Sequence, residues 1–461
     1  MLRIISISKI KHYITKSNPF LSFQEWDLHL WGNRLVGGMG AALLLQLTAV
    51  MNSGNNCNGL IPAANAQTNA CYVANLRTIQ TKVNGEWGKP PVLLLQSNNY
   101  MEISFDDLQH NYVRYTYAIT HCDATWEPSD LYEGDYMTGM NNAYRIDNYT
   151  QSMNTEMMYN HYTLRIPNND VKLLVSGNYK VDIYEDGDDD PVAAACFSIV
   201  DPKVGIDISV SPNTDIDSYQ SHQQVDFNIN YQTYECTNPE AEFKPVVMQN
   251  RRWDNHVSDI QPTYLRTNQL VYNHNKKLIF DAGNEYRRFE ILDRYVPTMR
   301  VERMAYQPPF YHAYLFGDKP RTNYKYDQDQ DGRYYVRNSD NYENDSESDY
   351  FYTHFTLNMP EITGGDVYIH GDLTYGLFTD DNKMEYNMID HQYEKTLLLK
   401  QGSYNYQYLF IPNGSEKATG DMTEGDFHQT ENEYYIYVYH RPFGGRYDKL
   451  VAFKSLTYKP Q

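Results

Sequence analysis

The chain is 461 residues long and acidic, with 59 Asp and Glu against 39 Lys and Arg and a formal net charge of −20. That charge argues against nucleic acid and anionic headgroups as partners, because both need a surplus of Lys and Arg to bind. Beyond residue 66 no run is apolar for long enough to cross a bilayer as a helix.

Residues 1–66 read as a targeting segment. Arg3, Lys9, Lys11, Lys16 and Arg34 outnumber Glu25 and Asp27, an apolar stretch runs from Leu35 to Met51, and Ala64-Asn65-Ala66 fits a small-residue cleavage site before Gln67. The expectation is a cleaved secretory signal, with an uncleaved anchor or a lipoprotein attached through Cys71 as alternatives. Cys71, Cys122, Cys196 and Cys236 would then face an oxidising compartment, where one or two disulfides and buried free thiols both fit. Their wide spacing carries no Cys-x-x-Cys zinc signal.

After residue 67 helical periodicity almost vanishes. Short alternating runs recur instead, bounded by Gly, Pro, Asn and Asp: Tyr112–Thr120, His161–Ile166, Asn178–Tyr184, Val225–Tyr231, Val367–His370, Glu394–Leu399 and Ser403–Phe410. This pattern predicts an all-β chain of tandem immunoglobulin-like β-sandwich domains. Asp201-Pro202 closes the first block, and the polar stretch Asn338–Asp349 reads as a loop or linker. The expected domains are therefore 67–202, 203–345 and 346–461.

Forty-four residues are tyrosine. In an extended Glu433–His440, Tyr435, Tyr437 and Tyr439 lie on one face, and Tyr434, Ile436 and Val438 on the other. Tyrosine has an apolar body and a polar tip, so such faces are expected to meet water or a partner.

Signals for bond-making chemistry are missing. There is no Gly-x-Ser-x-Gly elbow, no phosphate-binding Gly-x-x-x-x-Gly-Lys and no His-Glu-x-x-His. Asp327-Gln328-Asp329-Gln330-Asp331-Gly332 matches the opening of a calcium loop, with Asp327, Asp329 and Asp331 as ligands. Its twelfth position, Asn338, has no carboxylate to close the site, and Asp-Gly between alternating runs is also an ordinary hairpin turn. The turn is the favoured reading, and no cofactor or resident metal is expected.

In the C-terminal block, Val367 to Leu373 ends in Gly371-Asp372, and Gly402-Ser403-Tyr404-Asn405-Tyr406 follows. The block resembles the early-set immunoglobulin-like modules attached to glycogen and starch enzymes. The sugar-binding members stack tryptophans on glucan, and this block has none, so carbohydrate binding stands as the alternative function.

Longer phrases span the mature chain. They are His121-Cys122-Asp123-Ala124-Thr125-Trp126-Glu127-Pro128-Ser129, Ser176-Gly177-Asn178-Tyr179, Gln249-Asn250-Arg251-Arg252-Trp253, Glu285-Tyr286-Arg287, Glu431-Asn432, and Arg441 through Arg446 to Asp448. Together they resemble the type IX secretion system plug proteins of the Bacteroidota, over about residues 75–455. The resemblance implies a non-enzymatic periplasmic protein, monomeric apart from its partner, that closes a very large outer-membrane translocon β-barrel when no cargo is passing. Trp126 and Trp253 are expected in the core, and Tyr179 is expected to make a corner hydrogen bond. Arg287 could serve an internal ion network or a partner surface. Tyr375, Phe378, Phe443 and Arg446 are the expected partner contacts.

Overall fold

The computed structural model describes residues 67–139, 144–340 and 342–460. The expected signal segment, residues 1–66, lies outside them. Alternation sets the architecture: in the strand Met101–Asp107, Met101, Ile103 and Phe105 are buried on one face, and Ser104 and Asp106 on the other. This strand belongs to an antiparallel sheet ordered Leu76–Val83, Met101–Asp107, Asn160–Ile166, Tyr149–Gln151. The facing sheet runs Ala70–Cys71, Ala193–Val200, Gly177–Glu185, Tyr115–Cys122, with Val92–Leu94 added in parallel. Phe105, Ile119, Val181 and Phe197 fill the core between them.

The second sandwich is assembled from two distant parts of the chain. One sheet orders Gly205–Ser211, His222–Asn230, Gln269–Tyr272 and Tyr264–Arg266, with Ile279–Asp281 also pairing with His222–Asn230. The other places Phe243–Gln249 against Asn432–His440, which pairs in turn with Lys449–Tyr458. Phe227, Val247, Tyr434 and Ile436 close their common core.

A third sandwich is inserted between these parts. Arg287–Ile291, Tyr334–Val336 and Gly365–His370 all pair with the long strand Gly402–Pro412. The opposing sheet orders Val301–Gln307, Phe310–Leu315, Tyr350–Leu357, Gln392–Lys400 and Glu385–Asn387. Gln401 carries the chain from one sheet to the other.

The chain is thus all-β and built of sandwiches. The expected boundary at 345 needs correction, because it cuts both sheets of the third sandwich and parts Phe243–Gln249 from Asn432–His440. Asn338–Asp349 is not a free linker either. Ser348 and Asp349 are fully buried, where the Asp349 carboxylate accepts the backbone N–H groups of Glu156 (2.8 Å) and Met157 (3.1 Å).

The tyrosine faces also need correction. The largest fully buried side chains are all tyrosines, including Tyr159, Tyr350, Tyr406, Tyr408, Tyr434 and Tyr439. In Asn432–His440 the alternation is as expected, but both faces are covered. Tyr434, Ile436 and Val438 enter the second core, while Tyr435, Tyr437 and Tyr439 join Ala124, Val246 and Met248 in a separate cluster against the first sandwich. Many of these hydroxyls find a partner, which helps so large a residue to be buried: Tyr434 donates to Gln223 (2.8 Å) and Tyr406 to Asp318 (2.6 Å).

Candidate functional site

The family phrases meet at the seams between the sandwiches. Between the first and second, Asn178 is wholly buried. Its Nδ2 donates to the Asp123 carbonyl (2.9 Å), and its Oδ1 accepts from the hydroxyls of Ser198 (2.7 Å) and Tyr439 (2.9 Å). The buried Asp448 carboxylate accepts the Ala124 N–H (3.1 Å) and pairs with Lys244 (3.0 Å) and Arg441 (2.9 Å), while Arg441 also pairs with Asp123. Trp126, held at φ 65°, packs edge-on against Trp253 beside Cys122 and Cys196.

His121 explains the Ser-Gly-Asn-Tyr phrase. Its Nε2 donates to the Ser176 carbonyl (3.2 Å) and its Nδ1 accepts from the Ser129 hydroxyl (2.8 Å). Burial pulls the imidazole down to about 4, so it stays neutral. At Gly177, φ is 146° and a Cβ would lie 2.2 Å from His121 Nε2, so no other residue fits. Tyr179 OH donates to the Val175 carbonyl four residues upstream (2.8 Å), the expected corner bond.

Between the first and third sandwiches, a charge is locked in. Asp106, fully buried, takes Lys400 Nζ (2.6 Å), Tyr350 OH (2.6 Å) and His161 Nδ1 (2.6 Å). Burial pushes its carboxyl up, yet Lys400 and His161 together hold it below the ordinary value. Trp87 Nε1 donates to the Tyr334 carbonyl across the same seam (2.7 Å).

Between the second and third, Arg251 pairs with Asp372 (2.6 Å) and Arg333 with Glu433. Just inside the second sandwich, Asn250 Nδ2 donates to Asn432 Oδ1 (2.7 Å), and Asn432 Nδ2 donates to the Ala282 carbonyl (2.8 Å) and to Gln223 Oε1 (3.0 Å), which also accepts the Tyr434 hydroxyl. Gln249 donates to the Asp281 carbonyl (2.9 Å). The Glu431 N–H donates to Glu285 Oε1 (3.1 Å). Where all three sandwiches meet, a cavity of about 150 Å³ is lined by Trp87, Trp126, Arg251, Trp253, Arg333 and Tyr375.

Arg287 serves the internal network: it is buried and binds Glu424 (2.9 Å) and Asp318 (2.8 Å). Of the four expected partner contacts, Phe443 is fully exposed at a loop tip. The others are engaged within the chain. Tyr375 OH accepts the Thr78 N–H (3.1 Å), Phe378 stacks on His370, and Arg446 holds the Asp130 carbonyl (2.8 Å) and Asp135 (2.9 Å). Tyr375 thus reaches from the third sandwich to the first, Phe378 packs within the third, and Arg446, still exposed, ties the loop after Asn432–His440 to the first.

At the calcium-like motif the backbone takes the turn. Asp331 and Gly332 have φ 50° and 84°, and the Arg333 N–H donates to the Gln330 carbonyl (3.1 Å). Asp327 pairs with Arg288 (2.5 Å), and Asp329 accepts the backbone N–H groups of Asp331 (3.0 Å) and Tyr286. The four described cysteines are free thiols. Lys400 and Asp106, central to the seam between the first and third sandwiches, and Asp318 and Glu424, central to the third, were not singled out in the sequence: in so acidic a chain one more carboxylate is unremarked, and Lys400 merely ends an apolar run.

The fold and seams define a class: a multi-sandwich protein whose distinctive residues join its own parts. Residues 76–201 match the family described as the type 9 secretion system plug protein 1st domain. A crystal structure of a hypothetical protein from Parabacteroides merdae is 44% identical, covers 85% of this chain and 99% of its own, and superposes with a TM-score of 0.83. The C-terminal domain of the Streptococcus pyogenes antigen I/II-family protein AspA, 7% identical over 84% of this chain and 100% of its own, has a TM-score of 0.16 and supports no argument. No curated protein sequence matches. Residues 76–201 are thus a first domain of the type IX secretion system plug protein family. That domain implies a role in type IX secretion and a place in the cell envelope. Among the described residues no helix is long and apolar enough to cross a membrane.

Proposed function

We propose that the protein is a non-enzymatic periplasmic plug that seals the outer-membrane translocon barrel of the type IX system when no cargo is passing. The observation that carries this reading is the family match over residues 76–201, in a chain whose motif residues lock three sandwiches together. A barrel wide enough for folded cargo leaks solutes unless a stiff body closes it. Buried seams supply the stiffness, and the net charge of −20 opposes self-association. Phe443 is the contact this reading assigns to the barrel.

The test is an affinity pull-down of the tagged mature chain from membranes of its native host, with mass spectrometry. One very large outer-membrane β-barrel recovered with wild type, and reduced with Phe443→Asp, is the expected result. Recovery of no barrel overturns the proposal. The runner-up reading, carbohydrate binding, draws on the outer face of the third sandwich, where Tyr352, His312, His354 and Tyr314 stack ring on ring and Phe310 meets Tyr352 edge-on. Retention on polysaccharide that is lost in Tyr314→Ala would favour it.

A further inference from the structure

At one end of the second sandwich three metal-ligating side chains converge. Phe243 is paired with His440 across neighbouring strands, which sets Glu242 and His440 side by side. The crossover between His222–Asn230 and Phe243–Gln249 then folds Cys236 over them. Cys236 Sγ lies 3.0 Å from Glu242 Oε2, and His440 Nε2 lies 3.1 Å from the same oxygen. Among the described residues this is the one set of three His, Cys, Asp or Glu whose ligand atoms all lie within 4.8 Å of one another.

We infer that Cys236, Glu242 and His440 form a binding site for a divalent ion of the zinc class, with a water as fourth ligand. The donor set is the first argument: one thiolate, one imidazole and one carboxylate are ligands that zinc accepts, and three protein ligands with an open position make a familiar tetrahedral arrangement. Spacing is the second. Ligands bonded to tetrahedral zinc at about 2.0–2.3 Å stand about 3.3–3.5 Å apart. The observed 3.0 and 3.1 Å therefore need to open by only a few tenths of an ångström.

The outer shell is the third argument. Tyr234 OH stands 2.9 Å from His440 Nδ1, which leaves Nε2 aimed at the site, and the Asn238 N–H donates to Glu242 Oε1 at 3.1 Å, leaving Oε2 inward. Partners of this kind orient the ligands of metal sites. Charge balance is the fourth: thiolate and carboxylate together neutralise a divalent ion in a pocket where Glu242 and His440 are buried. Cys236 is only half-buried, so an ion and a water have access. An occupied site would staple the crossover loop to the end of Asn432–His440, at the root of the loop that carries Phe443.

The full chain, stripped with a chelator, is titrated with cobalt(II) and then zinc(II). The expected result is one equivalent of cobalt giving a thiolate-to-metal charge-transfer band, displaced by zinc. Cys236→Ser should abolish the band and weaken zinc binding at least about 100-fold, and Tyr234→Phe, which keeps all three ligands, about 10–100-fold. Absence of the band from wild type overturns the inference, and that reading needs no variant to fold. So does a Cys236→Ser protein that binds as tightly as wild type, which would move the ion to another site such as the His312–His354 pair.

Discussion

Individual buried charges set how this protein responds to pH. Asp331, the aspartate of the Asp-Gly turn, is raised to about 8, first by burial and then by Asp329 and Glu433; its Oδ1 has no partner and its Oδ2 faces Arg333 at 3.6 Å. Asp329 and Glu285 are each raised to about 7, again first by burial. A carboxyl raised in the folded state holds its proton more tightly there than in the unfolded chain, so stability falls as pH rises from the ordinary value toward the folded one. His121 and His370, both pulled down to about 4 by burial, act oppositely: their contribution is lost as pH falls from about 6.5 toward 4. Below about pH 6.5 the two trends offset, and above it the acids act alone. Thermal melts should therefore show stability declining between pH 6.5 and 8. Asp331→Asn, an Asn-Gly turn that suits the same backbone, should stabilise by about 1–2 kcal/mol at pH 8, the gain vanishing below about pH 4. A variant no more stable than wild type at pH 8 would contradict this account.

At the scale of elements, the strand Asn432–His440 does two jobs at once. One row of its side chains closes the second core and the other closes the seam with the first sandwich. Its tyrosines therefore act as structural residues with polar tips rather than as a platform. Tyr439→Phe, which removes the bond to Asn178, should cost about 1 kcal/mol, whereas Tyr326→Phe, on an exposed residue, should cost nothing measurable. Denaturant unfolding measures both, and equal effects would refute the distinction. The strands themselves were legible in the sequence. Asn178–Tyr184 and Ser403–Phe410 fall inside Gly177–Glu185 and Gly402–Pro412, because alternation is local and turn residues interrupt it. Burial was less legible, since the same alternating tyrosines suit a wet face and a packed seam equally well.

At the scale of the molecule, the described residues belong to one compact unit, in which the third sandwich is inserted into the second and the first is bound to both. The Asp106–Lys400 pair is the most deeply buried of these ties. Lys400→Met, by leaving Asp106 with only His161 and Tyr350, should destabilise by about 3 kcal/mol, and adding Asp106→Leu should recover part of that loss. Calorimetry should show one transition for wild type. A single variant that melts like wild type would show that this pair contributes nothing to stability.

The sequence alone determined the all-β class, the strand positions, the Asp-Gly turn and the family, because each rests on neighbouring residues or on short phrases in order. Tertiary structure decided the rest. Phe243–Gln249 pairs with Asn432–His440 across an inserted sandwich, and Cys236, Glu242 and His440 meet at one point although the last lies far along the chain. No local pattern encodes such meetings. They follow from which faces remain uncovered once each sheet has formed, and burying those faces is what drew Tyr375 and Phe378 inward and left Phe443 outside.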